Sequence, residues 1–338
     1  MDQTDVRPSQ ALRRLVNGYQ VAQAIHVAAK LHIADLLAGG ARTSDALAAE
    51  TGAHPSTLYR LLRALASVGV LREDESRSFS LTEVGACLRS DAPEPVSAWA
   101  EFIGEPYYWN TWAHLLHSVQ TGENAFGHLH GMNVWEFRAD KPDLSAGFDR
   151  AMTSLSRQVS AAVLATYDFG RFGSIVDVGG GRGAFLAAIL AQHPTLQGVL
   201  FDQPHVVSGA EELLMAAGVA ERCRVVSGSF FEAVPEGADA YVLKAVVHDW
   251  EDNQAIEILA TCRRAMSRDA TMILVEREVA PPNEGRDAKF SDLNMLVAPG
   301  GLERTHEEFA TLFTRAGFRL SRSVASASGV SAIEAVPA

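Results

Sequence analysis

Residues 174–202 read SIVDVGGGRGAFLAAILAQHPTLQGVLFD, and this stretch decides the fold. The run Ile175–Val178, rich in β-branched residues, is followed at once by Gly179, Gly180, Gly181 and Gly183. Phe185, Leu186, Ile189 and Leu190 then recur at helical spacing, and a second apolar run, Val199 to Phe201, ends in Asp202. The order is strand, tight turn, helix, strand, acid: a βαβ unit that binds ligands at the carboxyl ends of its strands. Glycine lets the backbone turn sharply and approach a ligand where a Cβ would clash. Asp202 stands at a strand end, where a carboxylate can accept hydrogen bonds from both hydroxyls of a ribose.

The spelling of the turn leaves two cofactor classes open. Gly179-x-Gly181-x-x-Ala184 satisfies a dinucleotide fingerprint, with an acid roughly 20 residues further on. Asp177-x-Gly179-x-Gly181-x-Gly183 equally satisfies the acidic-glycine pattern of enzymes that use S-adenosylmethionine (SAM). Dinucleotide folds usually place the fingerprint early in a domain, whereas here about half of the 338 residues precede it.

That length allows two domains, and 47% hydrophobic with 21% charged residues is the balance of a soluble globular protein. No apolar run approaches the roughly 20 residues that span a bilayer. The first residues are polar and mixed in charge, without a signal-peptide apolar region, and three scattered cysteines make a disulfide framework improbable. A cytoplasmic protein is expected. A net charge of −12 argues against an extended phosphate-backbone interface.

Residues 11–38 carry apolar positions at helical spacing that fit two helices in series, the opening one of a kind that packs on a partner subunit. Residues 43–90 read helix, turn, helix, wing. The second helix offers only Arg60 and Arg63 as basic residues, and the wing turn holds Glu73, Asp74 and Glu75. Dimerisation is therefore favoured over DNA binding. The segment after it is helical and aromatic, and Trp109, Trp112 and Phe148 are candidates to wall a site for a flat substrate. His114 with His117, and His128 with His130, lack suitably spaced carboxylate or cysteine partners, so no metal is expected. From 174 onward, strands alternate with helices and end in a hairpin. The expectation is an α/β, Rossmann-like, doubly wound sheet with an antiparallel terminal hairpin, preceded by a winged-helix domain. The boundaries are 1–95 for dimerisation, 96–170 for a helical linker that contributes to the substrate pocket, and 171–338 for the cofactor domain.

The fourth strand of that sheet ends in Lys244 and the chain runs on through His248. Strand ends bind ligands, and histidine is the natural base for a proton of modest acidity near neutral pH. Glu276 follows the buried-type strand Ile273-Leu274-Val275 and ends at the same sheet edge. A carboxylate there would orient the imidazole and favour its protonated form. Glu303, in GGLERTHEEF, could be a second such carboxylate, although a surface position is its default reading.

The ordered set VDVGGGRG, LFDQP, SGSFFEAVP, LKAVVHDW, ILVE and GGLERTHEEF is similar to the O-methyltransferases of the caffeic-acid type. Within that family it most resembles bacterial enzymes that tailor aromatic antibiotics and polyketides. The resemblance covers nearly the whole chain and implies a homodimer that binds SAM, releases S-adenosylhomocysteine and requires no metal. It implies that Asp177, Gly179 and Gly181 serve the amino-acid end of the cofactor, that Asp202 holds the ribose and that Lys244 contacts the cofactor. The family usually has Gly-Asp-Phe-Phe after the third strand, whereas this chain has Gly228-Ser229-Phe230-Phe231. Phe230 would still cover the adenine, while Ser229 loses a charge-assisted hydrogen bond. His248 matches the family's base and Glu276 and Glu303 its flanking acids, whereas Met152, Asn294 and Met295 match acceptor-pocket positions. The implied reaction is in-line methyl transfer to a hydroxyl of a small aromatic acceptor. Competing readings are a SAM-binding relative with other chemistry, a ligand-responsive DNA-binding regulator and a nicotinamide dehydrogenase.

Overall fold

A computed structural model describes residues 7–338, which divide into two compact units. One holds the residues up to Ala113 and Arg138–Leu155, and the other holds His114–Phe137 and Ser156–Ala338. Residues 96–113 and 138–155 belong to the first unit, and 114–137 and 156–170 to the second. The helix Pro142–Thr166 contributes residues to both.

In the first unit, Thr43 caps the helix Ser44–Thr51 by accepting the Ala46 amide, and Gly52 ends it in a left-handed conformation at φ 70°. Pro55 opens the helix Pro55–Ser67, whose Leu58, Leu62 and Leu65 face inward at successive turns. Strands β1 (Arg42–Thr43), β2 (Leu71–Glu73) and β3 (Ser78–Leu81) form a three-stranded sheet in the order β1-β3-β2. The leucines close with Ile33, Leu47 and Phe79 into one core. Each such side chain, fully buried, contributes about 1.5–3 kcal/mol. No residue of the opening helix Pro8–Val16 is buried within the chain, and Leu12, Leu15 and Val16 lie exposed along it.

The second unit is built on seven strands: β4 (Ser174–Val178), β5 (Gln197–Asp202), β6 (Cys223–Ser227), β7 (Ala240–Lys244), β8 (Thr271–Glu276), β9 (Phe318–Ala325) and β10 (Ser331–Pro337). Their order is β6-β5-β4-β7-β8-β10-β9; the first five run parallel, β10 pairs antiparallel with β8, and β9 pairs antiparallel with β10. Alternation along each strand feeds two cores. Tyr241, Leu243, Met272 and Leu274 join one, with Ile258, Leu259, Phe309 and Phe313 of the covering helices. Ala240, Val242, Ile273 and Val275 join the other, with Leu186, Ile189 and Leu190. Strands buried on both faces are the signature of a parallel sheet covered by helices on each side.

Registers place the functional ends together. Val178 pairs with Phe201, Asp202 with Ser227 and Lys244 with Val275, so Gly179, Asp202, Lys244 and Glu276 all emerge at one edge. Strand β4 has β5 on one side and β7 on the other, and such a reversal of strand order opens a crevice at the carboxyl ends.

Candidate active site

The glycine turn lies directly beyond β4. Gly179, Gly181 and Gly183 adopt φ of 71°, 63° and 84°, values that other residues reach only with strain. A Cβ at Gly179 would sit 2.9 Å from Val246 and 3.6 Å from the Phe230 ring, whereas one at Gly181 would meet nothing within 4 Å. Phe230 therefore lies beside the turn while Gly181 faces open space. Asp202 closes the turn from β5: Oδ2 accepts the Gly181 amide at 2.8 Å and Oδ1 accepts the Gln203 amide at 2.6 Å. Each oxygen keeps a further lone pair for a ribose hydroxyl.

Asp177 sits beneath the turn at 1% exposure. Burial pushes its pKa up to about 7, against the opposing pull of Lys244. Lys244 is itself held below its ordinary value by burial, and it donates to Ser156 Oγ at 2.8 Å. Ser229 is half-buried, and its Oγ accepts the Phe231 amide at 3.3 Å within its own turn. The open glycine backbone, the ribose-type acid and the flat Phe230 ring suit a nucleoside carrying a zwitterionic amino-acid tail, which is the chemistry of SAM.

The second half of the site is the short 3₁₀ turn Val247–Asp249. Ala245 precedes it in the left-handed region at φ 55°, a conformation that costs a non-glycine residue about 1–2 kcal/mol. This kink turns the Val246 and Val247 amides onto Glu276 Oε1, at 3.0 and 2.7 Å. Glu276 Oε2 meets His248 Nδ1 at 2.6 Å. Glu276 is 2% exposed, and the imidazole side chain 20%. Burial alone would push the His248 pKa below 6.5, but Glu276, Asp249 and Glu303 outweigh it and hold it at about 10. The paired imidazolium and the two amides keep Glu276 below its ordinary value despite burial.

Glu303 is not at the surface. It is 5% exposed, and the helix Arg286–Val297 fixes it through Ser291, which donates to Oε1 at 2.7 Å, and Asp292, which accepts its amide at 3.0 Å. One ligating atom from each of His248, Glu276 and Glu303 lies within 4.8 Å of the other two. Burial holds the Glu303 pKa up, and its Oε2 has no hydrogen-bond partner among the described residues. The sequence reading missed Asp249, whose Oδ1 lies 3.4 Å from His248 Nε2, as well as Ser156, Ser291 and Asp292. Asp249 adjoins His248 in sequence and could have been suspected; the other three carry no local signal.

Asn294 and Met295 share the helix of Ser291, the first half-buried and the second buried. Trp109, Trp112, Phe148 and Met152 belong to the first unit, where all four are half-buried. There the Arg138 guanidinium stacks 3.5 Å from the Phe148 ring centre, and Phe102 packs against the same ring edge-on. In the second unit His117 and His128 stack ring on ring at 3.6 Å.

Comparison with known proteins settles the family. A model of the O-methyltransferase domain matches residues 112–319, and one of the O-methyltransferase dimerisation domain matches residues 13–91. The chain belongs to the O-methyltransferase family. It is 43% identical over 329 residues to a phenazine O-methyltransferase of Lysobacter antibioticus, covering 97% of this chain and 96% of that one. It is 39% identical over 338 residues to a mitomycin biosynthesis 6-O-methyltransferase of Streptomyces lavendulae, covering 97% of each. The solved structure of CalO1, a methyltransferase of calicheamicin biosynthesis in its S-adenosylhomocysteine-bound form, superimposes with a TM-score of 0.90 at 36% identity, over 99% of this chain and all of that one. This O-methyltransferase is SAM-dependent, and it carries the family's dimerisation domain. No helix among its described residues is long and apolar enough to cross a membrane.

Proposed function

We propose that this O-methyltransferase methylates a hydroxyl of a small, flat aromatic metabolite, with His248 as the base, and that it works as a homodimer in the cytoplasm without nucleic acid. The observation that carries the reading is the buried contact of 2.6 Å between His248 Nδ1 and Glu276, at the sheet edge that also holds the glycine turn. Glu276 fixes the tautomer, leaving Nε2 as the proton acceptor, and stabilises the imidazolium once the proton arrives. Glu303 and Asp249 add negative charge around the same ring.

Gly179, Gly181, Asp202, Ser229, Phe230 and Lys244 hold the cofactor, and Asp177 supports the turn from below. When bound, SAM supplies an activated methyl group on a cationic sulfonium, whose charge also favours the proton-free imidazole. The protein contributes alignment and deprotonation, which can together provide several powers of ten in rate. Asn294 and Met295 line the acceptor side, and the exposed stripe of Leu12, Leu15 and Val16 supplies apolar surface for the subunit contact. Acceptors that match the family are phenols, hydroxynaphthoates, hydroxyquinones and hydroxylated polyketides.

The test is calorimetric titration with S-adenosylhomocysteine and, separately, NADH, followed by a panel of phenols with methyl-labelled SAM. Binding of the first alone, with label recovered as an aryl methyl ether, is the expected result. Label in an N-methyl product, or product unchanged in His248→Ala, would overturn the assignment.

A further inference from the structure

Arg304 is 1% exposed and stands among the largest fully buried side chains of the described residues, outside the group of side chains that face the His248 ring. Its Nη1 donates to the carbonyls of Val247 (3.1 Å) and Leu302 (3.4 Å), and its Nη2 to the carbonyl of Trp250 (2.8 Å). Nε and Nη2 together grip Asp252 Oδ1, at 3.0 and 2.9 Å. Two of these acceptors flank His248 in sequence. Between them, the carbonyl of His248 itself accepts the Leu302 amide at 2.9 Å. Backbone contact is so close here that a Cβ at Gly301 (φ +79°) would lie 2.0 Å from the His248 oxygen. The segment 301–304 therefore takes up the carbonyls of residues 247, 248 and 250, and the same segment delivers the Glu303 carboxyl to the ring.

We infer that Arg304 is a positioning residue for the base: its guanidinium locks the turn that carries His248, so that one segment sets both the imidazole and its Glu303 neighbour. A buried guanidinium is expensive to desolvate, and the same carbonyls could have been satisfied more cheaply by backbone amides or water. A planar fork held by a carboxylate on one side and carbonyls on the other fixes direction as well as position, which lysine cannot do. A shift of about 1 Å in the base relative to the reacting oxygen costs on the order of a hundredfold in rate, so holding this turn still has kinetic value. The inference rests on His248 being the base, and its test separates the two.

Arg304→Lys and the milder Asp252→Asn, which loosens the arginine from outside, would be compared with the parent enzyme. The expected result for Arg304→Lys is a fall in kcat of roughly 10- to 100-fold, with affinity for S-adenosylhomocysteine within about threefold. Asp252→Asn should show a smaller fall in the same direction. The ring is faced by Glu276 from β8, by Asp249 from its own turn and by Glu303 from the 301–304 segment. Loosening the turn weakens the first of these contacts, so the acid limb of the pH profile moves to lower pH while the plateau drops. The proton NMR signal of the short Nδ1–H bond to Glu276, far downfield in the parent, should broaden or move upfield in both variants. That signal reports the position of the ring whether or not His248 is the base. An unchanged signal and an unmoved acid limb in Asp252→Asn would overturn the inference, even if Arg304→Lys fails to fold. A moved signal with unaltered kcat would leave the positioning intact and refute His248 as the base.

Discussion

The two halves of the proposed active site are built in opposite ways. In the glycine turn, chemistry is carried by backbone within one contiguous βαβ unit, tied by the Gly179 amide to the Phe201 carbonyl, 22 residues apart, and by the Gly181 amide to Asp202, 21 apart. Around His248, side chains from three segments converge: the turn itself, Glu276 28 residues later and Arg304 57 residues after Val247. A backbone-built site is robust to surface drift but intolerant of any added atom. A site assembled from side chains depends on every segment that holds it. In the proposed function the first sets cofactor affinity and the second turnover, so each variant below is expected to move one and not the other.

The largest effect is expected at the proposed base. His248→Ala should lower kcat by on the order of 10²–10⁴-fold, read from label transfer, with S-adenosylhomocysteine affinity unchanged. Next is Glu276→Gln, which removes the charge while keeping the size. Turnover should fall roughly 10- to 100-fold. The pH profile carries a sign. His248 must be proton-free to act, and Glu276 holds the proton on, so the parent's acid limb in kcat/KM lies above the ordinary 6.5. Glu276→Gln should move that limb downward, and a parent limb at or below 6.5 would mean that Glu276 does not govern the ring.

On the other side, Asp202→Ala should weaken S-adenosylhomocysteine binding by roughly 10- to 100-fold, since hydrogen bonds to a charged group are worth about 1.5–3 kcal/mol. Loss of kcat at saturating cofactor would show that the two halves are not separable. Within the turn itself, two alanines distinguish sterics from conformation. At Gly180 a Cβ would lie 2.6 Å from both the Asp177 carboxyl and Leu200, so Gly180→Ala should cost about 1–3 kcal/mol of stability in thermal melts. Gly181→Ala has room and meets only the strain of φ 63°, about 1–2 kcal/mol, so a greater loss there than at Gly180 would contradict the contacts around the turn. The smallest effect is expected of Ser229→Asp, which restores the family's acid and should tighten the cofactor severalfold, about 1 kcal/mol or less.

Strand ends were legible wherever local chemistry set them. Ala240–Lys244 and Thr271–Glu276 lie where the apolar runs place them, because strands buried on both faces read as continuous apolar runs and each run ends in a charged residue at the sheet edge. The helix Ser44–Thr51 begins where Thr43 can cap it. The middle of the chain was read less well. Aromatic residues at helical spacing indicated helices in 96–170, but the spacing says nothing about which core each helix joins, and the segment is shared between two units. Glu303 shows the same limit on the scale of one side chain. In sequence it is one glutamate among several in an exposed-looking loop, and only Ser291 and Asp292, from a helix 11 or 12 residues earlier, bring it inward.

The sequence by itself determined the layered fold, the glycine turn, the acid that closes it, and the presence of a histidine and a carboxylate at neighbouring strand ends. These follow from periodicity and from glycine's conformational freedom, both of which act within a few residues. The tertiary structure alone decided that Asp249 and Glu303 flank the imidazole, that Lys244 meets Ser156, and that a buried arginine clamps the turn beneath the base. Such contacts join residues that no local rule couples. They form because desolvated charges and carbonyls must find partners wherever the fold brings them together.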